Sequence, residues 1–303
     1  MRVNPKYVSN LADSLNQVQA TQQQLTSELS SGVRVTTLSQ DPLAAGENVL
    51  LLDQIRRDDT FTQSASLVQG RLQVADSALG SVVTQLTQAI SLATSANNGT
   101  MNADNVKSIS SQIAGILNEV QSLANSSYQG QYIFAGGQTS TQPFTTDSAT
   151  SPAVTTYNGD ADVNYLSMPN GQRIQLNVPG DQIFLGGGSK SVFAALNNLV
   201  ADYASGTVDT ARAVSDTQAL NTALNFVSQQ RVTVDNAINR LTAASGDVSS
   251  QQTQLTAAQT NLMQADVAQV STQLALAESQ QTALENVIVQ LESASNSLFS
   301  KLQ

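Results

Sequence analysis

The residues best equipped for chemistry lie between positions 136 and 191. Asp160-Ala161-Asp162-Val163-Asn164 repeats the D-x-D-x-N opening of a calcium loop, in which alternate side-chain oxygens surround a hard cation. The sixth position of that run is Tyr165, where a calcium loop turns on glycine, and the twelfth is Gly171 in place of a bidentate glutamate. A solvated turn is therefore the expected use of these residues. Gly188-Ser189-Lys190-Ser191 has the residue types of a phosphate-cradling loop, but that loop needs glycine directly before the lysine and another five residues earlier. A glycine-rich linker with a helix cap accounts for it. Asp147, Asp160, Asp162 and Asp181 could supply the acid and base of a glycoside hydrolysis, yet no spacing singles out two of them.

The rest of the chain narrows the chemistry further. Its 303 residues contain no cysteine and no histidine, which removes disulfides, thiolate metal sites, HExxH-type zinc sites and the commonest general base. Thirteen basic against 23 acidic residues give a net charge of −10, which disfavours nucleic acid or an anionic membrane as partner. Charged residues make up only 12%, about half of the usual share of roughly 25%. Gln, Ser, Thr and Asn fill the gap, giving polar but largely neutral helix faces. Such faces suit packing against identical copies, where facing like charges would repel. The start, MRVNPKYVSN, has no apolar signal-peptide core, and no run approaches the ~18 apolar residues that span a bilayer. Export, if it occurs, is expected by a route that reads neither signal. Lack of cysteine is compatible with passage through a narrow channel as an unfolded chain.

The elements that would position any site are mostly helices. Val8, Leu11, Leu15, Val18, Gln22, Leu25 and Leu29 recur in steps of three and four, the seam of a coiled coil interrupted by one glutamine. Ser31-Gly32 weakens that helix, and Val33–Thr37 reads as extended. Asp41-Pro42 is an N-cap followed by proline at the first helical position, opening a helix expected to run to about Asn97. Its seam is Phe61, Ala65, Val68, Leu72, Ala75, Leu79, Val82, Leu86, Ala89 and Ala93. A third helix carries Val106, Ile109, Ile113, Ile116, Val120 and Leu123 on one face. Four of the six prolines then fall between 143 and 179, among strand-like runs such as Val154–Tyr157 and the period-two stretch Arg173–Val178. Helix resumes near Ser191, with Phe193, Leu196, Leu199, Val200 and Tyr203. The next carries Leu220, Leu224, Val227, Val234, Ile238 and Leu241, with Arg231 in the same stripe. After Gly246 a last helix is expected, with its seam on Val270, Leu274, Ala277, Gln281, Leu284, Ile288, Leu291, Ser295, Leu298 and Leu302.

The expected fold is mainly α, an elongated helical bundle or coiled coil built from the N- and C-terminal segments, with a small inserted β-rich domain. Residues 1–40 plus 265–303 form a terminal coiled-coil domain in this reading. Residues 41–137 plus 191–264 form a helical-bundle domain, and 138–190 the β-rich insertion. Two helices of about 30 residues bury one seam and leave their other faces open, so such a pair gains most from neighbouring subunits and folds on assembly. The expected assembly interface is Val8, Leu11, Leu15, Val18, Leu25, Leu29, Val270, Leu274, Leu284, Ile288, Leu291, Leu298 and Leu302. No catalytic residue, cofactor or metal is assigned.

The stretch LADSLNQVQATQQQLTSELSSGVRVTTLSQDPLAAGENVLLLDQIR resembles the N-terminal region of the flagellin superfamily, and DVAQVSTQLALAESQQTALENVIVQLESASNSLF is similar to its terminal helix. Met1-Arg2-Val3, Asp41-Pro42-Leu43-Ala44-Ala45, Tyr132-Ile133-Phe134-Ala135-Gly136, Tyr157-Asn158-Gly159-Asp160, Val178–Phe184 and Ser297-Leu298-Phe299 resemble motifs of one branch, the hook-associated protein 3 family. Gln40 departs from the acidic residue that commonly precedes that branch's "D-P". The resemblance also accounts for the calcium-like run without a metal. It implies a non-enzymatic junction protein of the bacterial flagellum, exported without a cleavable signal peptide by the flagellar type III system. Its implied partners are copies of itself, another hook-associated junction protein on the hook side, flagellin on the distal side, and a cytoplasmic chaperone on the C-terminal helix. A filament-forming flagellin, a filament-borne carbohydrate-active enzyme and a coiled-coil signalling module are the competing readings.

Overall fold

A computed structural model describes residues 5–147, 149–168, 171–186 and 190–300; at residues 5–8, 292 and 294–300 it describes the backbone. Six α-helices are found among these residues: α1 (Pro5–Ser31), α2 (Pro42–Asn97), α3 (Ala103–Ala124), α4 (Val192–Ala204), α5 (Thr210–Met263) and α6 (Val267–Ser300). The protein is mainly α, with a small β region of antiparallel pairs. The chain divides into two compact units, one comprising Met1–Arg56 with Gln251–Gln303 and the other Arg57–Ser250.

The larger unit is organised by the seams expected from the sequence. From α2, Phe61, Ala65, Leu72, Ala75, Leu79, Val82, Leu86, Ala89 and Ala93 are buried. Most of them meet Val106, Ile109, Ile113, Ile116 and Val120 of α3, Leu196, Leu199 and Tyr203 of α4, and Leu220, Val227 and Val234 of α5 in one core. Burial of each such aliphatic side chain is worth about 1.5–3 kcal/mol, the main force holding the helices together. Asn102 starts α3 by accepting from the Asn105 N–H at 2.8 Å. Ser191 does the same for α4 with Ala194. Tyr203 is fully buried and places its hydroxyl on Asn97 Oδ1 at 2.8 Å, so its polar tip is satisfied.

Among the described residues the β region consists of three short antiparallel hairpins: β1 (Ser127–Tyr128) with β2 (Gln131–Tyr132), β3 (Phe144–Asp147) with β4 (Val154–Tyr157), and β5 (Tyr165–Ser167) with β6 (Arg173–Gln175). The period-two run over Arg173–Val178 is strand only to Gln175, because Leu176 N turns to the Asn164 carbonyl and Asn177 is buried as a side-chain staple. Rings hold this region together more than ladders do. Phe134, Phe144, Phe184 and Phe193 are all buried, and their centroids lie 5.1–5.8 Å apart in edge and tilted contacts. Gly136 has φ +70°, and a Cβ there would collide with the Asp160 carbonyl, so only glycine fits where the chain folds under these rings.

Within the smaller unit, Gly32 ends α1 in the left-handed region at φ +69°, its N–H on the Glu28 carbonyl at 2.8 Å. The extended stretch expected over Val33–Thr37 reduces to one antiparallel bridge between Val33 and Gln264, with Arg34 N on the Met263 carbonyl at 2.7 Å. Asp41 caps α2 as expected, accepting from the Ala44 N–H at 3.0 Å, and Arg34 Nη1 lies 3.1 Å from its other oxygen. These bonds hold the Asp41 carboxyl below its ordinary pKa. Gln40 accepts from Thr36 N at 2.7 Å and Thr37 N at 3.0 Å, closing the turn that precedes the cap.

One expected boundary moves. Helix α5 does not stop at Gly246 but continues to Met263, and the break before the final helix falls at Gln264–Asp266. A helical glycine costs only about 1 kcal/mol relative to alanine. Leu241, Ala244 and Val248 around it are buried with Phe61, Ala65 and Ile174, which outweighs that cost. The new start is signalled by Asp266, whose Oδ1 accepts from Ala268 N at 3.0 Å and Gln269 N at 3.1 Å.

Candidate assembly surface

Helices α1 and α6 pack on each other within the smaller unit through Leu25, Ala265, Val270 and Ala277, with Val18 and Leu274 partly covered beside them. The heptad spacing of both segments dictates this, since each presents one apolar line and neither has charge to hold the lines apart. The coverage is uneven along the seam. Leu25 and Val270 are 7% and 6% exposed, while Leu11, Leu15, Leu284, Ile288 and Leu291 are only half-buried. Leu29 is exposed, while its neighbour Glu28 is buried and accepts from Gln24 Nε2 at 2.9 Å. Gln22, the polar interruption of the seam, has Nε2 buried without a hydrogen-bond partner among the described residues. Val8 and Leu298 are described only in backbone, within α1 and α6, and Leu302 lies outside the described residues.

The smaller unit also exposes apolar residues that the seam does not use. Leu38, Leu43 and Leu50 are 68%, 73% and 70% exposed, and Leu276, Val287 and Val289 of α6 are open as well. Leu276, Ala283 and Val287 fall at helical spacing on a line about 110° around α6 from the seam, using 100° per residue. This second line is not among the seam positions expected from the sequence. Its signal is the i, i+7, i+11 spacing of the same segment.

The chemistry-bearing residues between 136 and 191 are spent on structure. Asp160 Oδ1 accepts from Gly137 N at 2.6 Å and Asp162 N at 3.1 Å, and Asp162 gives its carbonyl to Asn177 Nδ2. Asp147 caps the turn after β3 through Ala149 N at 2.9 Å. Tyr157 sets its hydroxyl between the carbonyls of Phe134 and Asp160, at 2.9 and 2.8 Å. Burial, with Asp181 and Asp160 nearby, pushes the Tyr157 phenol up to about 12. Asp181 Oδ1 is buried without a partner among the described residues. Among the described residues no group of three carboxylates is placed to hold a metal ion. Gly188 and Ser189 lie outside the described residues; Lys190 stands over the Phe226 ring at 5.2 Å and Ser191 caps α4, so neither is left for a phosphate.

Long helices, a terminal helix pair whose seam is unevenly covered, and ring-stapled hairpins between α3 and α4 in the sequence define a mainly α protein with a small β region. Residues 4–139 match the model for the bacterial flagellin N-terminal helical region. The flagellar hook-associated protein 3 of Salmonella typhimurium is 32% identical over 153 residues, 50% of this chain and 47% of that one. The protein of the same name from Escherichia coli is 28% identical over 158 residues, 52% and 48% of the two chains. The chain thus spans about half the length of the curated relatives it matches. A solved structure from Vibrio parahaemolyticus, described as that of a flagellar hook-associated protein, has a TM-score of 0.67 at 18% identity. It covers 74% of this chain and 100% of its own, and the fold is shared with it.

Proposed function

We propose that this chain is a structural component of the bacterial flagellum, a junction protein that links hook to filament through packing of its terminal helices. The observation that carries this reading is the α1–α6 pair, whose apolar line is well covered at Leu25, Val270 and Ala277 and only half covered at Leu11, Leu15, Leu284, Ile288 and Leu291. A coiled-coil seam left half open in one chain is completed by the same seam of the next. The relatives named flagellar hook-associated protein 3 support the location and the role.

In this reading Val8, Leu11, Leu15, Val18, Leu25, Leu29, Val270, Leu274, Leu284, Ile288, Leu291, Leu298 and Leu302 form the contact between copies. Residues 1–40 with 265–303 act as the assembling domain, 41–137 with 191–264 as a supporting bundle, and 138–190 as an outer β-rich domain. A second hook-associated protein stands on the hook side and flagellin on the distal side. A cytoplasmic chaperone covers α6 before export, which proceeds without a cleavable signal. The role asks for no catalytic group, and the carboxylates of Asp147 and Asp160 are engaged in turns.

Deleting the gene in its bacterium tests the proposal. Cells bearing hooks without filaments, with flagellin released into the medium, are the expected result; normal filaments would overturn it. Purified chain should stay monomeric or form short oligomers under conditions that polymerise flagellin. Long homopolymers would favour a filament subunit instead.

A further inference from the structure

The larger unit holds a cavity of about 510 Å³ beside the β1–β2 hairpin, lined by Leu67 and Arg71 of α2, Tyr128, Gln131, Tyr165 and Leu176. Its size falls within the roughly 300–1,000 Å³ of small-molecule pockets, and its wall is mixed: aliphatic and tyrosine side chains beside the polar Gln129, Gln131 and Asn164.

Arg71 is the unusual member. It is half-buried, and its described hydrogen bonds run from Nη2 alone, to the carbonyls of Tyr132 and Ile133, both at 3.3 Å. Among the described residues no carboxylate lies within salt-bridge distance of it. Arg34, Arg212 and Arg231 by contrast have Asp41, Asp202 and Asp76 at 3.1, 3.5 and 2.7 Å. A guanidinium offers five N–H donors in a planar fork, so a nitrogen bound to two carbonyls leaves most of that fork uncommitted. Burial costs the ion solvation and pulls its pKa down, with no counter-ion to repay it. In a chain with 23 acidic residues the missing carboxylate is not for want of supply.

The surroundings give the ligand a shape. Tyr128 is wedged on α2, where a Cβ at Gly70 would sit 2.5 Å from its hydroxyl oxygen, so its ring is a fixed wall. Tyr165 is 52% exposed and carries Arg173 above its ring at 5.9 Å, forming the outer lip. The planar fork of Arg71 matches a carboxylate bidentately, and Arg173 adds a second positive charge at the lip.

We propose that this cavity binds a small organic carboxylate with a flat body, its carboxylate forked on Arg71 and its body between Tyr128 and Tyr165. The site is independent of the junction role. Benzoate is the probe, with benzamide as its neutral isostere, titrated against the full chain carrying isotope-labelled tyrosines. Benzoate should shift the Tyr165 resonances saturably, with a dissociation constant on the order of 1 mM as suits so small a ligand. Benzamide should not, and Arg71→Gln should weaken benzoate at least about tenfold with the helical circular dichroism unchanged. Should Arg71→Gln unfold, Tyr165→Ala at its exposed position must weaken benzoate by itself. Absence of benzoate binding, equal binding of benzamide, or unchanged affinity in the folded variants would each overturn the proposal.

Discussion

Arg231 grips Asp76 with two nitrogens, Nε at 2.7 Å from Oδ1 and Nη2 at 3.2 Å from Oδ2. An arginine in an otherwise apolar stripe is thereby explained. The bridge raises the Arg231 pKa and locks α2 against α5 in one register. Both partners keep some solvent, so a double-mutant cycle with Asp76→Ala and Arg231→Ala should give a coupling of about 1 kcal/mol that shrinks with salt. A coupling near zero would reduce the pair to decoration.

Tyr157→Phe keeps the ring against Phe144, 5.1 Å between centroids, and deletes only the hydroxyl that joins the Phe134 and Asp160 carbonyls. Leaving two buried acceptors short should lower unfolding stability by about 1–2 kcal/mol in urea melts. Wild type should also lose stability as pH climbs from 10 through about 12, because the folded phenol holds its proton longer than the unfolded one. The phenylalanine variant should lack that share of the alkaline loss.

Asp202 is held above the ordinary carboxylate range by burial and by Asp216, against the pull of Arg212. Its folded form binds a proton more tightly than its unfolded form, so its contribution is most favourable below the ordinary value of 3.8 and declines as pH rises through the raised one. Asp202→Asn should therefore raise the melting temperature at neutral pH and flatten the decline above pH 3.8. A lower melting temperature at neutral pH would show that the contact to Arg212, 3.5 Å away, dominates instead.

Leu284 and Ile288 are half-buried in the α1–α6 pair, whereas Leu25 is 7% exposed. Leu284→Asp and Ile288→Asp should abolish filament attachment in cells while changing the melting temperature of the larger unit little. Leu25→Ala should additionally cost about 2–3 kcal/mol in the stability of the α1–α6 pair, as read by its protection from protease. Equal filament numbers in all three strains would sink the assembly reading of the seam.

Much of this fold was legible because long helices repeat their signal. The seam of α2 returns ten times between Phe61 and Ala93, and nine of those ten positions are buried. Asp41-Pro42 marked its start to the residue. Where a signal occurs once, the reading slipped. Gly246 suggested a helix end that local packing overrides, and the true end was marked by the lone cap Asp266. The hairpins were harder still, because strands of two to four residues carry too few positions to show a period. What binds that region, four phenylalanines brought together from four separate segments, leaves no local pattern at all. The seam residues were read from spacing, but the uneven cover along the seam belongs to three dimensions.

The bridge between Val33 and Gln264 and the bond from Arg34 to Met263 join positions more than 200 residues apart, and the main packing partner of α1 is α6. A chain that emerges amino end first, from a ribosome or a pore, must therefore carry α1 unpartnered until residues beyond 264 appear. The Arg57–Ser250 unit meets no such delay, since its partners have all arrived by then. Order of emergence alone thus sets order of folding: the interior of the sequence matures first, and the pair that would grip other copies becomes available last.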